Sequence, residues 1–181
     1  MTLLSSSLKN EKILELELRK KIYNFVTENA GSHIRELERK SRIPYTTLKY
    51  HLHFLAKHGL ITEKKRDSRA QYYPNTISSE DTEAIDLLRQ KNIRRIILFL
   101  ITRDSCAHRD LVDFTRLSPS TITWYTNKLI KKEVITKSGV NKKTVYRLSC
   151  NKDKIMKILI AYRESFVDDL VNKTIDMWDI S

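Results

Sequence analysis

Displacing the chain against itself by 74 residues lays Ile22–Tyr72 over Ile96–Tyr146 without a gap. The paired positions are mostly apolar: Ile22/Ile96, Phe25/Phe99, Leu37/Leu111, Ile43/Leu117, Leu48/Ile122, Leu55/Leu129, Leu60/Val134 and Ile61/Ile135. Arg42/Arg116, Thr47/Thr121, Thr62/Thr136 and Tyr72/Tyr146 join them. A shared apolar register predicts one small structural unit used twice. In 181 residues that leaves room for units over 1–75 and 76–150 and a tail over 151–181, and for nothing like a large multidomain machine. The polar stretch Pro74–Asp81 is the expected boundary.

Within the first unit, Ile13, Leu14, Leu18, Ile22, Phe25 and Val26 recur at helical spacing and Gly31 stops the run. Ser32 reads as the N-cap of a second, short helix through Lys40, with Ile34 and Leu37 inward. Ser41-Arg42-Ile43-Pro44 turns the chain, because proline disfavours helical geometry at the residue before it. A third helix follows from Tyr45 to about His58, with Leu48, Leu52 and Leu55 on one face and Gly59 as its stop. Two short helices across a tight turn are a helix-turn-helix. Leu60–Thr62, a charged tip and Ala70–Tyr73 then form a β-hairpin. The second unit repeats the plan: helices over Thr82–Thr102, Cys106–Phe114 and Pro119–Lys132, then a hairpin from Val134 to Leu148. The fold class is mainly α with two small β-hairpins.

Lys and Arg number 34 against 22 acidic residues, a net +12, which points to a polyanionic partner. Residues 1–75 hold 15 basic and 8 acidic side chains and residues 76–150 hold 14 and 8, whereas residues 151–181 hold 5 and 6. The excess therefore follows the repeat and spares the tail. Hydrophobic residues at 40% and charged residues at 31% suit a packed core rather than a disordered chain. The longest apolar run, Ile96–Ile101, falls short of the roughly 18 residues of a membrane span. Met1–Asn10 has neither a basic leader nor a long apolar stretch, so no membrane partner and a cytoplasmic, nucleoid-associated address are expected.

Cys106 and Cys150 lack a CxxC partner, which argues for reduced thiols. Cys106 stands near the start of a predicted helix, where a dipole could lower a thiol pKa, although a buried or capping thiol is the plainer reading. His33, His51, His53 and His58 crowd the first helix-turn-helix, but their spacing forms no tetrahedral set; no metal and no cofactor are expected. Three glycines leave no phosphate-cradling loop, and no catalytic motif is present, so the chain is read as a non-enzyme.

Helix, helix-turn-helix, basic hairpin is the order of a winged helix-turn-helix, and Thr47–Ile61, with its Thr-Leu, His-Leu and Gly-Leu-Ile positions, resembles the recognition helix of ArsR- and MarR-like transcription regulators. Two units and a helical tail resemble the tandem winged-helix regulators of archaea. The second unit departs from the pattern, with Tyr125-Thr126 for His-Leu and Glu133 for the glycine. The resemblance implies a sequence-specific regulator of double-stranded DNA, third helices in the major groove and hairpin wings on the backbone. On that basis the first recognition helix offers Tyr45, Thr46, Thr47, Lys49, Tyr50 and His53, and the second Ser120, Thr121, Thr123, Trp124, Asn127 and Lys128. Lys49 suits guanine or phosphate, Asn127 suits adenine, and aromatics suit a thymine methyl or a sugar. The wings offer Lys64, Lys65, Arg66 and Arg69, then Lys137, Lys142, Lys143 and Arg147, for phosphates.

Two alternatives stay open: a tandem winged-helix module that docks protein, for which Trp124 and Tyr125 also suit, and a replication initiator. The tail, with Ile155, Ile158, Leu159, Tyr162, Phe166, Leu170, Val171 and Trp178, reads as one long amphipathic helix. It either packs on its own unit or pairs chains. Leu3, Leu4, Leu8, Ile13 and Leu14 offer a second such surface. A homodimer is expected, with basal transcription machinery as a further partner.

Overall fold

The computed structural model describes residues 16–66, 69–140, 143–166, 171 and 174–177. Leu3, Leu4, Leu8, Ile13, Leu14, Lys142, Leu170 and Trp178 lie outside these, as do the side chains of Arg66 and Lys143. The chain divides into two units: one runs to Ile85 and takes in Tyr162–Ser165, the other runs from Asp86 to Ala161 and resumes at Phe166.

In the first unit the apolar stripe of Ile22 and Val26 lies on α1 (Glu17–Glu28). It packs with Leu37 of α2 (Ile34–Ser41) and with Leu48, Leu52 and Leu55 of α3 (Tyr45–Lys57). A three-stranded antiparallel sheet in the order β1-β3-β2 closes the core with Ile61 and Tyr72. Its strands are β1 (Ser32–His33), β2 (Ile61–Arg66) and β3 (Arg69–Pro74). The second unit holds α5 (Lys91–Arg103), β4 (Ser105–Ala107), α6 (His108–Thr115), α7 (Pro119–Lys131), β5 (Ile135–Val140) and β6 (Lys143–Leu148). Before them α4 (Ser79–Leu88) carries the chain across from the first unit, and α8 (Lys152–Ala161) follows.

The repeat holds at the level of hydrogen-bond register. Ser32 faces Tyr72 as Cys106 faces Tyr146, and Ile61 faces Pro74 as Ile135 faces Leu148. It also holds at the level of backbone conformation. Arg42 and Arg116, each at φ 59°, end α2 and α6 in the left-handed region, with their N–H groups donating to Glu38 O and Val112 O at 2.9 Å. Gly59 (φ 70°) and Glu133 (φ 57°) end α3 and α7 in the same region. The following Leu60 and Val134 donate to Leu55 O and Leu129 O at 3.0 Å. α7 therefore exits as α3 does, without a glycine.

Several elements differ from expectation. Ser32 is a strand residue rather than an N-cap, because its backbone is engaged in the ladder with Tyr72; the cap moves to His33, whose Nδ1 accepts from Glu36 N–H at 3.1 Å. Cys106 likewise lies in β4, so the helix begins at His108. The single helix expected over Thr82–Thr102 is broken after Leu88, whose carbonyl accepts from the Arg94 guanidinium at 2.6 Å instead of continuing the ladder. The tail is not one continuous helix: α8 ends at Ala161 and a short 3-10 turn covers Arg163–Ser165. That turn is held on the first unit, where Lys40 Nζ donates to Glu164 O at 2.6 Å and Ser165 Oγ to Glu28 O at 3.3 Å. Ile155, Ile158, Leu159, Phe166 and Val171 are buried within the single chain.

Candidate nucleic-acid interface

The outward face of α3 follows from which residues its core face consumes. Leu48, His51, Leu52 and Leu55 are buried, which turns Thr46, Lys49, Tyr50 and His53 outward, with Tyr45 and Thr47 half-buried. Pro44 supplies no cap side chain, and Glu38 of α2 substitutes: its Oε1 accepts from Tyr45 N–H at 3.1 Å. Arg35 fixes the same carboxylate at 2.9 Å and lies 4.2 Å from the Tyr45 ring centroid. Tyr45 is thus part of the turn's packing.

On α7, Ser118 caps the helix by accepting from Thr121 N–H at 3.2 Å, and Pro119 fits its first turn, where no backbone N–H is required. Ile122, Thr126 and Leu129 face the core. Thr126 replaces Leu52 without an unsatisfied hydroxyl, because its Oγ1 donates to Ile122 O at 2.9 Å. Ser120, Thr123, Trp124 and Asn127 face outward, and Thr121 and Lys128 are half-buried. Four of these side chains have polar partners inside the unit: Lys128 Nζ donates to Gln90 Oε1 at 2.7 Å, Thr123 Oγ1 donates to Pro119 O at 2.9 Å, and the Ser120 and Thr121 hydroxyls lie 3.0 and 2.7 Å from Ser118 Oγ. The second face is accordingly poorer in available charge than the first. Tyr125, half-buried, accepts at its hydroxyl from Asn92 Nδ2 at 3.0 Å.

Each hairpin carries exposed cations beyond the end of the preceding helix: Lys64, Lys65 and Arg69 after α3, Lys137 and Arg147 after α7. Three further features had little or no signal in the sequence. Arg42 and Arg116 are exposed at the turn before α3 and α7; their identity in both copies, at a position packing does not explain, was the available clue. His108 ties the two helices of the second motif together, its Nε2 3.1 Å from Thr123 Oγ1. Arg95 caps the end of α6 by donating to Phe114 O and Thr115 O, both at 3.0 Å; nothing in the linear spacing marks either of the last two.

The four histidines of the first motif occupy separate environments. His33 caps α2, His53 is exposed, and His58 stacks on Phe54 at 4.3 Å. His51 is buried, and burial, aided by the nearby Arg19, pushes its imidazole pKa down and keeps it neutral. The Cys106 thiol is pushed up to about 12 by burial and by Asp110, the opposite of dipole activation. Burial also raises Cys150. No described helix is long and apolar enough to cross a membrane.

Residues 16–85 match a family described as an N-terminal HTH domain, and residues 89–136 match the winged helix-turn-helix DNA-binding family. Among curated proteins, an uncharacterized HTH-type transcriptional regulator of Methanocaldococcus jannaschii is 32% identical over 143 residues, covering 78% of this chain. The chain spans 36% of that relative's length. Solved structures of similar shape include HlyU from Vibrio cholerae, with TM-score 0.40, 15% identity and coverage of 48% of this chain and 92% of that one. A possible transcriptional regulator for arsenical resistance has TM-score 0.36, 17% identity and coverage of 51% and 94%.

Proposed function

We propose that this chain, whose residues 16–85 and 89–136 match helix-turn-helix families, is a sequence-specific regulator of transcription acting on double-stranded DNA. One observation carries this reading: an outward polar and aromatic helix face beside an exposed basic hairpin occurs twice, at equivalent positions, in a chain of net charge +12. In this reading α3 and α7 enter the major groove, while the hairpin cations, with Arg42 and Arg116, lie on phosphates. Thr46, Lys49, Tyr50 and His53 read bases in one unit, and Ser120, Thr123, Trp124 and Asn127 in the other. Lys128 and Tyr45 position their helices.

The protein in this proposal has no catalytic step, works at the nucleoid in the cytoplasm, and acts as a homodimer that blocks or recruits basal transcription machinery. Sedimentation equilibrium tests the assembly: a species of twice 21.4 kDa agrees, and a monomer at all concentrations overturns it.

DNA reading is tested by splitting the roles of two lysines on a duplex enriched from a genomic fragment pool. Lys49→Ala should cost about 1–3 kcal/mol on that duplex and much less on random DNA. Lys65→Ala should weaken both alike and lower the salt slope by about one unit. Identical behaviour of the two variants overturns the assignment. Lack of any enrichment overturns the regulator itself and favours protein docking.

A further inference from the structure

Five large hydrophobic side chains stand exposed among the described residues: Leu16, Tyr50, Trp124, Ile160 and Met177. Two of them, Tyr50 at 63% and Trp124 at 59% exposure, are 74 positions apart and so occupy the same place in the two copies. We propose that Tyr50 and Trp124 are a matched pair of thymine-methyl readers, one on each recognition helix. The proposal rests on the DNA-reading function above and names what these two residues recognise.

Both rings are braced in the same way. Tyr50 meets the following His51 edge to face, centroids 5.1 Å apart at 78°, and Trp124 meets the following Tyr125 at 4.9 Å and 78°. The bracing residues are themselves anchored, His51 by burial in the core and Tyr125 by its hydrogen bond from Asn92. A braced aromatic with two side-chain torsions loses little entropy on binding, and both rings stay largely exposed, with Lys128 Nζ 5.1 Å from the Trp124 ring centroid.

The surroundings limit what such a ring can meet. On α3 the outward neighbours are Thr46, Lys49 and His53; on α7 they are Ser120, Thr123 and Asn127. Each helix thus presents one apolar group within a polar face, too small a patch for a protein interface, which needs a contiguous apolar centre. It is the right size for one apolar group among hydrogen-bonding ones. The major groove offers one such group, the C5-methyl of thymine, which stands out from the hydrogen-bonding donors and acceptors and from the smaller C5–H of cytosine. The two copies have kept an aromatic at this place while changing its identity from tyrosine to tryptophan, which preserves the ring face rather than the polar tip.

The test uses the full chain and duplexes carrying the most enriched genomic site, in which each thymine in turn is replaced by deoxyuridine. This removes one methyl and leaves every hydrogen-bonding group in place. Binding should fall about fourfold at one thymine beneath each recognition helix, the equivalent of one buried methylene-sized group at roughly 0.8 kcal/mol, and stay unchanged elsewhere. Tyr50→Ala should abolish the penalty at the thymines beneath α3 and Trp124→Ala at those beneath α7, whereas Tyr50→Phe and Trp124→Phe should retain it. Unchanged thermal unfolding of the variants, expected for side chains this exposed, excludes misfolding as the cause. An enriched site insensitive to every deoxyuridine substitution, or a penalty that survives in the alanine variants, overturns the pair while leaving the regulator intact. A pool with no enriched site overturns both.

Discussion

Glu133 is a β-carbon-bearing residue held at φ 57° where the first copy uses Gly59 at φ 70°, and this predicts opposite responses to exchanging the two. A left-handed conformation costs an ordinary L-residue roughly 1–2 kcal/mol. Glycine removes that cost but loses about 0.5–1 kcal/mol more conformational freedom on folding. Glu133 is exposed and follows the end of α7, so little else changes with its side chain. Glu133→Gly should therefore stabilise the second unit by about 0.5–1 kcal/mol, raising Tm by roughly 2–6 °C for a unit of this size. Gly59→Ala should destabilise the first by about 1 kcal/mol. The nearest atom to the added Cβ is Asn75 Nδ2 at 3.9 Å, an ordinary contact, so the loss comes from the backbone and not from a clash. Thermal and urea unfolding followed by circular dichroism read both. A neutral Gly59→Ala, or a destabilising Glu133→Gly, would show that the two helices do not end alike and would refute the structural equivalence of the copies.

Two further predictions concern titration. The neutral Cys106 thiol is favoured by folding, since its pKa is raised from 9.0 to about 12; the stability it contributes is present below pH 9 and is lost as pH rises toward 12. In the folded protein at pH 8 it should resist iodoacetamide, with alkylation appearing only on unfolding; rapid alkylation of Cys106 in the native state would contradict its burial. His51 is shifted the other way from 6.5, so its contribution is present above pH 6.5 and is lost as pH falls through its lowered folded value. Unfolding of wild type should become easier with acidification in that range, and His51→Phe should flatten this component; an unchanged pH slope would count against the buried neutral imidazole.

The repeat makes most of this architecture legible in the sequence. An apolar register retained across 74 residues identifies both cores, and Pro44 and Pro119 mark where α3 and α7 begin, to the residue. Elements of two or three residues were not legible: Ser32–His33 and Ser105–Ala107 are too short to show a two-residue period, and their strand state comes from a distant partner in the hairpin. The break after Leu88 was hidden for a related reason. No glycine or proline marks it; a side chain six residues later, Arg94, captures the carbonyl. At the interface, solvent-facing positions followed from helical periodicity, but the inward ties of Lys128 to Gln90 and Thr123 to Pro119 did not. Long polar side chains choose partners across a fold, and their outward position in a helical projection does not reveal this.

The central claim, that the paired helix faces read DNA sequence, is tested most directly by the ratio of two dissociation constants. These are measured by competition for the enriched duplex and for the same duplex with its sequence scrambled, across a salt series. A ratio of about a thousandfold or more should persist as both affinities fall steeply with salt. Equal affinities at every salt concentration would contradict it and leave only a basic chain attracted to phosphate.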